Sequence, residues 1–111
     1  MVWHNLEDIA QLQDIIDSSS EKPVLIFKHS TRCSISSMAK NRMERSWSFE
    51  DNQVTAYYLD LIAFRDISNH IAEIFEVEHQ SPQALLIQDG KCIYDASHNS
   101  ISVDMMAAEL A

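Results

Sequence analysis

The chain is poor in cysteine, in glycine and in positive charge, and it has no long apolar run. Its two cysteines, Cys33 and Cys92, stand 59 residues apart, and two thiols at that separation do not make the disulfide framework of a stapled secreted domain. No CxxC pair occurs, and the five histidines, His4, His29, His70, His79 and His98, show no ligand spacing, so no metal site is expected. No stretch approaches the ~20 apolar residues of a membrane span, and Met1 to Asp8 has neither the basic start nor the apolar run of a secretory signal. The expectation is a cytoplasmic protein with no membrane partner. Eight Lys and Arg against 17 Asp and Glu give a net charge of −9, which argues against nucleic acid as the main partner. At 111 residues the chain is expected to be one domain, 1–111, with enough length to bury a core without staples.

What positive charge there is lies in one place. Lys22, Lys28, Arg32, Lys40, Arg42 and Arg45 fall in a window whose one acid is Glu44, a local net of +5 in a chain whose remainder carries −14. Cys33 stands inside that window, at a change of pattern. The apolar run Val24-Leu25-Ile26-Phe27, entered through Pro23, fits a buried strand. Beyond it Ile35, Met38, Ala39, Met43 and Trp47 recur at helical spacing and predict a helix over about 33–48 with these residues on its buried face. Cys33 therefore falls at the helix start, where free N–H groups and the macrodipole favour negative charge, and the thiolate is the reactive form of cysteine. The basic window would suit an anionic small molecule arriving there, Arg32 above all. For Lys40, Arg42 and Arg45 the plainer reading is a solvated helix face.

Along the chain, Trp3-His4-Asn5-Leu6 reads either as a short strand or as the lead-in to a helix capped by Asn5, with Ile9, Leu12, Ile15 and Ile16 as its apolar stripe. Ser18-Ser19-Ser20 is a polar connection, and 50–53 is a loop. Val54 to Asp60 predicts a strand parallel to 24–28. A helix over about 65–76 follows, burying Ile67, Ile71, Ile74 and Phe75. Ala84-Leu85-Leu86-Ile87 and Lys91-Cys92-Ile93-Tyr94, joined by Asp89-Gly90, predict a hairpin whose turn uses the one glycine of the chain. The last helix starts after Ser102, an N-cap, with Ile101 and Met106 placed as a hydrophobic staple.

A β-α-β half with cysteine at the start of its helix, then a helix, a hairpin opening with Ser81-Pro82 and a last helix, resembles the thioredoxin fold over essentially the whole chain. The fold class expected is α/β, thioredoxin-like, with a central mixed sheet of four to five strands flanked by helices. More narrowly, Thr31-Arg32-Cys33-Ser34-Ile35-Ser36 together with Asp95-Ala96-Ser97-His98-Asn99-Ser100-Ile101-Ser102 resembles the YtxJ family of monothiol bacilliredoxins. That family has a single nucleophilic cysteine followed by Pro-Ile-Ser and a later Ala-Ser-His segment.

The resemblance implies a thiol-disulfide oxidoreductase with Cys33 as nucleophile. Its substrates would be cytoplasmic proteins carrying bacillithiol, a small thiol bearing a sugar and a malate group. It would need no bound cofactor, with bacillithiol as co-substrate and S-thiolated proteins as clients. Ser36 occupies the position of a resolving thiol; its hydroxyl either donates to the Cys33 sulfur or bonds to backbone or water. Thr31, Arg32 and Ser34 would line the approach to the thiol, with Ser34 in place of the family's proline. Pro82 matches the fold's cis-proline, which would expose the backbone of Ser81 to the substrate. His98 falls in a loop that the fold brings towards the cysteine, either to hold charge or as a structural side chain. Cys92 reads as a small buried apolar residue. Two other readings remain: the same chemistry with glutathione or coenzyme A, and a non-catalytic thioredoxin-like binding or stress module.

Overall fold

The computed structural model describes residues 1–50 and 52–110; Asp51, in the expected 50–53 loop, lies outside the described residues. The elements are β1 (Trp3–Asn5), α1 (Ala10–Ser18), β2 (Val24–His29), α2 (Ser34–Ser46), β3 (Thr55–Asp60), α3 (Arg65–Ile74), β4 (Gln83–Gln88), β5 (Lys91–Ser97), a 3-10 turn (His98–Ser100) and α4 (Val103–Leu110). They form the expected α/β thioredoxin-like arrangement. The sheet order is β1-β3-β2-β4-β5, with the first three strands parallel and the last two antiparallel.

β2 is buried along its whole length because helices cover both faces of the sheet. Alternation along it divides the core in two. Val24 and Ile26 meet Leu12 and Ile15 of α1 and Ile67 and Ile71 of α3. Leu25 and Phe27 meet Ala39 and Met43 of α2 and Val103 and Met106 of α4.

Several local expectations are corrected. Asn5 does not cap α1, because it is taken into β1 opposite Tyr58. Asp8 Oδ1 instead accepts the Ala10 N–H at 2.9 Å, and Gln11 Oε1 accepts those of Glu7 and Asp8 at 2.8 and 2.9 Å. On α2 the buried face is Ser36, Ala39 and Met43, while Ile35 and Met38 are 52% and 65% exposed. At ~100° per residue those two fall to one side of the line through Ala39 and Met43. On α3 the buried line is Ile67, Ile71 and Phe75 at i+4 steps, which turns Ile74 outward.

The hairpin closes through a two-residue turn with both Asp89 (φ 53) and Gly90 (φ 74) left-handed, the conformation that matches strand twist. The turn is held by Ser19, which is buried and not a solvated linker. Its carbonyl accepts the Asp89 N–H at 3.0 Å and its hydroxyl accepts the Gly90 N–H at 2.8 Å. Ser102 Oγ accepts the Met105 N–H at 3.3 Å, and Ile101 and Met106 are buried beside it, as the staple requires.

Candidate active site

β2 delivers its last residue, His29, to the end of the sheet where the parallel strands β1, β3 and β2 finish, and a four-residue turn then leads into α2. In that turn the Cys33 N–H donates to the Ser30 carbonyl at 3.1 Å, and the Cys33 carbonyl accepts the first helical bond from Ser37 at 3.2 Å. Cys33 is thus the N-cap of α2, with φ −111 and ψ 120, and is partly exposed. Thr31, Arg32 and Ser34 surround it on the surface. Arg32 has no hydrogen-bonded or ionic partner among the described residues.

Of the two readings for Ser36, the structure shows the bond to backbone and adds one to a buried histidine. The Ser36 side chain is fully buried, its oxygen lies 2.7 Å from His29 Nδ1, and it accepts the Ser30 N–H at 3.1 Å. The hydroxyl is committed to the end of β2, so it makes no bond to the Cys33 sulfur. His29 is itself buried, in ring contact with Phe27 and Tyr58. Burial, and then the charge of Lys40, lower its pKa below the ordinary histidine value, with Asp60 opposing.

The basic window is not one surface. Lys28 has no exposed area; it shares with Val24 and Ile26 the face covered by α1 and α3. There its Nζ donates to the Ser68 carbonyl at 3.1 Å and to His79 Nδ1 at 3.3 Å, and burial lowers its pKa to about 8. Lys40 pairs with Glu44 at 3.1 Å, and Arg42 donates to the His98 carbonyl at 3.0 Å. Arg32 is the cation left beside the thiol.

Pro82 follows a cis peptide bond from Ser81. The β2–β4 pairing ends at Lys28 opposite Gln83, so Pro82 sits beside the end of β2 from which the Cys33 turn departs. The Ser81 hydroxyl oxygen is enclosed and has no hydrogen-bond partner among the described residues. The Pro82 carbonyl accepts the His98 N–H at 3.1 Å. His98 therefore joins the cis-proline loop to α2 through its backbone alone. Its ring is exposed and makes no hydrogen bond to the cysteine.

Cys92 packs against the core beside α1 and α3, and its Sγ–H donates to the Tyr94 carbonyl at 3.2 Å. Burial pushes its thiol up to about 11, with Asp95 adding and two backbone hydrogen bonds opposing. Of the two thiols, Cys33 lies partly exposed at the start of α2, whereas Cys92 is hydrogen-bonded against the core. Among the described residues no cluster of metal-ligating side chains occurs, and no helix is long and apolar enough to cross a membrane.

His29 is near the cysteine in sequence at a strand end that could turn it either way, and alternation puts it on the α2 face with Phe27. Burial of Lys28 followed from the same alternation, and its charge concealed it.

A family model described as monothiol bacilliredoxin BrxC matches residues 4–106. Among solved structures, a protein described as a candidate oxidoreductase with a thioredoxin fold is 30% identical, with a TM-score of 0.80 over 99% of this chain and 95% of that one. Thioredoxin from Malassezia sympodialis is 20% identical, with a TM-score of 0.69 over 99% of this chain and 89% of its own. Thioredoxin from Fasciola hepatica is 17% identical, with a TM-score of 0.66 over 95% and 93%. The last two likenesses are of fold.

Proposed function

This chain belongs to the monothiol bacilliredoxin BrxC family of thioredoxin-fold oxidoreductases, and from that premise we propose that it removes bacillithiol from mixed disulfides on cytoplasmic proteins through Cys33. The observation that carries the reading is a single partly exposed cysteine capping α2, with the position three residues on filled by a hydroxyl already bonded to His29.

In the first step the Cys33 thiolate attacks the bacillithiol sulfur of a client mixed disulfide. The Cys33–bacillithiol disulfide forms, the client disulfide breaks, and the client cysteine leaves as thiolate. A second bacillithiol thiolate then attacks the bacillithiol sulfur on Cys33, which frees the Cys33 thiolate and releases bacillithiol disulfide. Electrons come from the small thiol, so no bound cofactor is needed. Such exchange depends on the attacking thiolate, its access and the leaving group. The helix start favours negative charge at Cys33, and Arg32 beside it suits an anionic thiol. Ser81 offers backbone to an extended client.

Intact mass after brief exposure to bacillithiol disulfide, with glutathione disulfide in parallel, tests the reading. One fast bacillithiol adduct that is lost in Cys33→Ser and kept in Cys92→Ser is the expected result. Equal or faster labelling by glutathione would transfer the chemistry to another small thiol, and no adduct at Cys33 would remove the enzymatic reading.

A further inference from the structure

A cleft of about 400 Å³ runs between α2 and the β1–β3 edge, at the carboxyl ends of the parallel strands. Crevices at that end of a parallel sheet are where small ligands commonly bind, and the volume is in the range of small-molecule sites. One wall is Ser37, Lys40 and Asn41 of α2; the other is Trp3, Asn5 and Tyr58, with His29 at the inner end. Ser37 is one helical turn from Cys33, to which its N–H is bonded. Lys40 lies about 10 Å further along the axis than Cys33 at 1.5 Å per residue.

The lining has a definite chemistry. The side chains of Asn5, Ser37, Asn41 and Tyr58 make no hydrogen bond to another described residue. Two amides and two hydroxyls both donate and accept, which suits an array of ligand hydroxyls. Lys40 supplies the positive charge in this lining, and it is held in place: its Nζ is 3.1 Å from Glu44 and lies 5.6 and 5.8 Å from the ring centres of Trp3 and Tyr58. Glu44 is fixed in turn by the Trp3 Nε1–H at 2.8 Å. The cleft thus offers hydroxyl partners, two aromatic rings and one oriented cation, beginning one helical turn from Cys33.

We propose that this cleft is the subsite that holds the hydroxyl- and carboxylate-bearing half of the small thiol while its sulfur is exchanged at Cys33. The inference rests on the function proposed above and adds the residues that select among small thiols. A sugar ring lies against Trp3 and Tyr58, its hydroxyls meet Asn5, Asn41 and Ser37, and a carboxylate approaches Lys40.

Calorimetric titration of the Cys33→Ser protein with S-methyl bacillithiol, which cannot exchange, reads this subsite without turnover. Saturable binding is expected, weakened tenfold or more by Asn41→Leu and by Lys40→Met and severalfold by Tyr58→Phe, with S-methyl glutathione binding more weakly throughout. Thermal melts confirm that each variant is folded, and Tyr58→Phe removes one hydroxyl while keeping the ring. Affinity within twofold of the parent in all three variants, while wild-type Cys33 is still labelled by bacillithiol disulfide, overturns the subsite and leaves the reaction standing. The converse, an affinity that responds to these variants in a protein whose Cys33 takes no bacillithiol, overturns the reaction and keeps the subsite.

Discussion

The Ser36 hydroxyl oxygen lies 2.7 Å from His29 Nδ1 with both side chains buried, so the group three residues after the nucleophile belongs to the end of β2 and not to the sulfur. The same oxygen accepts the Ser30 N–H, which ties the first turn of α2 to the turn that carries Cys33. Ser36→Ala leaves His29 Nδ1 and the Ser30 N–H without their partner. An unsatisfied buried polar group costs about 1–3 kcal/mol, so the variant should unfold at lower urea concentration with an unchanged slope. A midpoint equal to wild type would show that the bond contributes nothing.

Most of the frame was legible from the chain, because burial on both faces of β2 leaves an unbroken apolar run, and Asp89-Gly90 names its own turn. The helix faces were less so. Ile35, Met38 and Ile74 are large and apolar, yet geometry assigns the inside of α2 and α3 to Ser36 and to the i+4 line of Ile67, Ile71 and Phe75. The candidate site divides the same way. Cys33 and Pro82 are marked by residue type and context, whereas the roles of Ser36, Lys28 and the Tyr58–Lys40 contact depend on which strand neighbours them, which pattern alone does not encode.

The two cysteines should differ sharply in alkylation. With its thiol pushed up to about 11, Cys92 is thiolate in only roughly one molecule in three thousand at pH 7.5, and it is packed against the core. Iodoacetamide at pH 7.5 should modify Cys33 alone in the native protein and both residues in urea, as read by peptide mass. Native labelling of Cys92 at a rate near that of Cys33 would contradict its burial.

Lys28 gives the stability a distinctive pH dependence. Its folded pKa, about 8, is below its unfolded value, so between about pH 8 and 10.5 the unfolded chain binds the extra proton and this group's contribution rises with pH. Below pH 8 the buried charge is a standing cost. Lys28→Met removes it with little change in length and should be more stable than wild type at pH 7 by about 2 kcal/mol, in line with apolar replacement of buried charge. The advantage should shrink as pH approaches 10.5. Comparing the two proteins is essential, because Cys92, Tyr58 and Tyr94, all raised, act in the opposite direction in wild type and variant alike. A variant less stable at pH 7, or an advantage constant with pH, would count against a charged Lys28 in the core.

His29 and His79 bound the acid side. Both are lowered, each by burial first and then by a neighbouring cation, Lys40 for His29 and Lys28 followed by Arg65 for His79. The unfolded chain therefore takes up these protons first as pH falls below about 6.5, and stability declines through that window. Urea midpoints at pH 7.5 and 5.5 should differ in that sense, and His79→Gln should reduce the difference. An unchanged difference in that variant would assign the acid lability to other groups.

Ser34 occupies the first helical position of α2, where the family pattern places proline. The backbone is already shaped for that residue. Cys33 has φ −111 and ψ 120, inside the extended region to which a residue before proline is restricted, and the first N–H of a helix has no intrahelical partner to lose. No hydrogen bond from the Ser34 N–H or hydroxyl occurs among the described residues. Ser34→Pro should therefore stabilise by about 0.4–1 kcal/mol, mainly by restricting the unfolded chain, and raise the melting temperature by a few degrees. A variant that melts lower than wild type would mean that the Cys33 turn needs a freedom at residue 34 that proline removes.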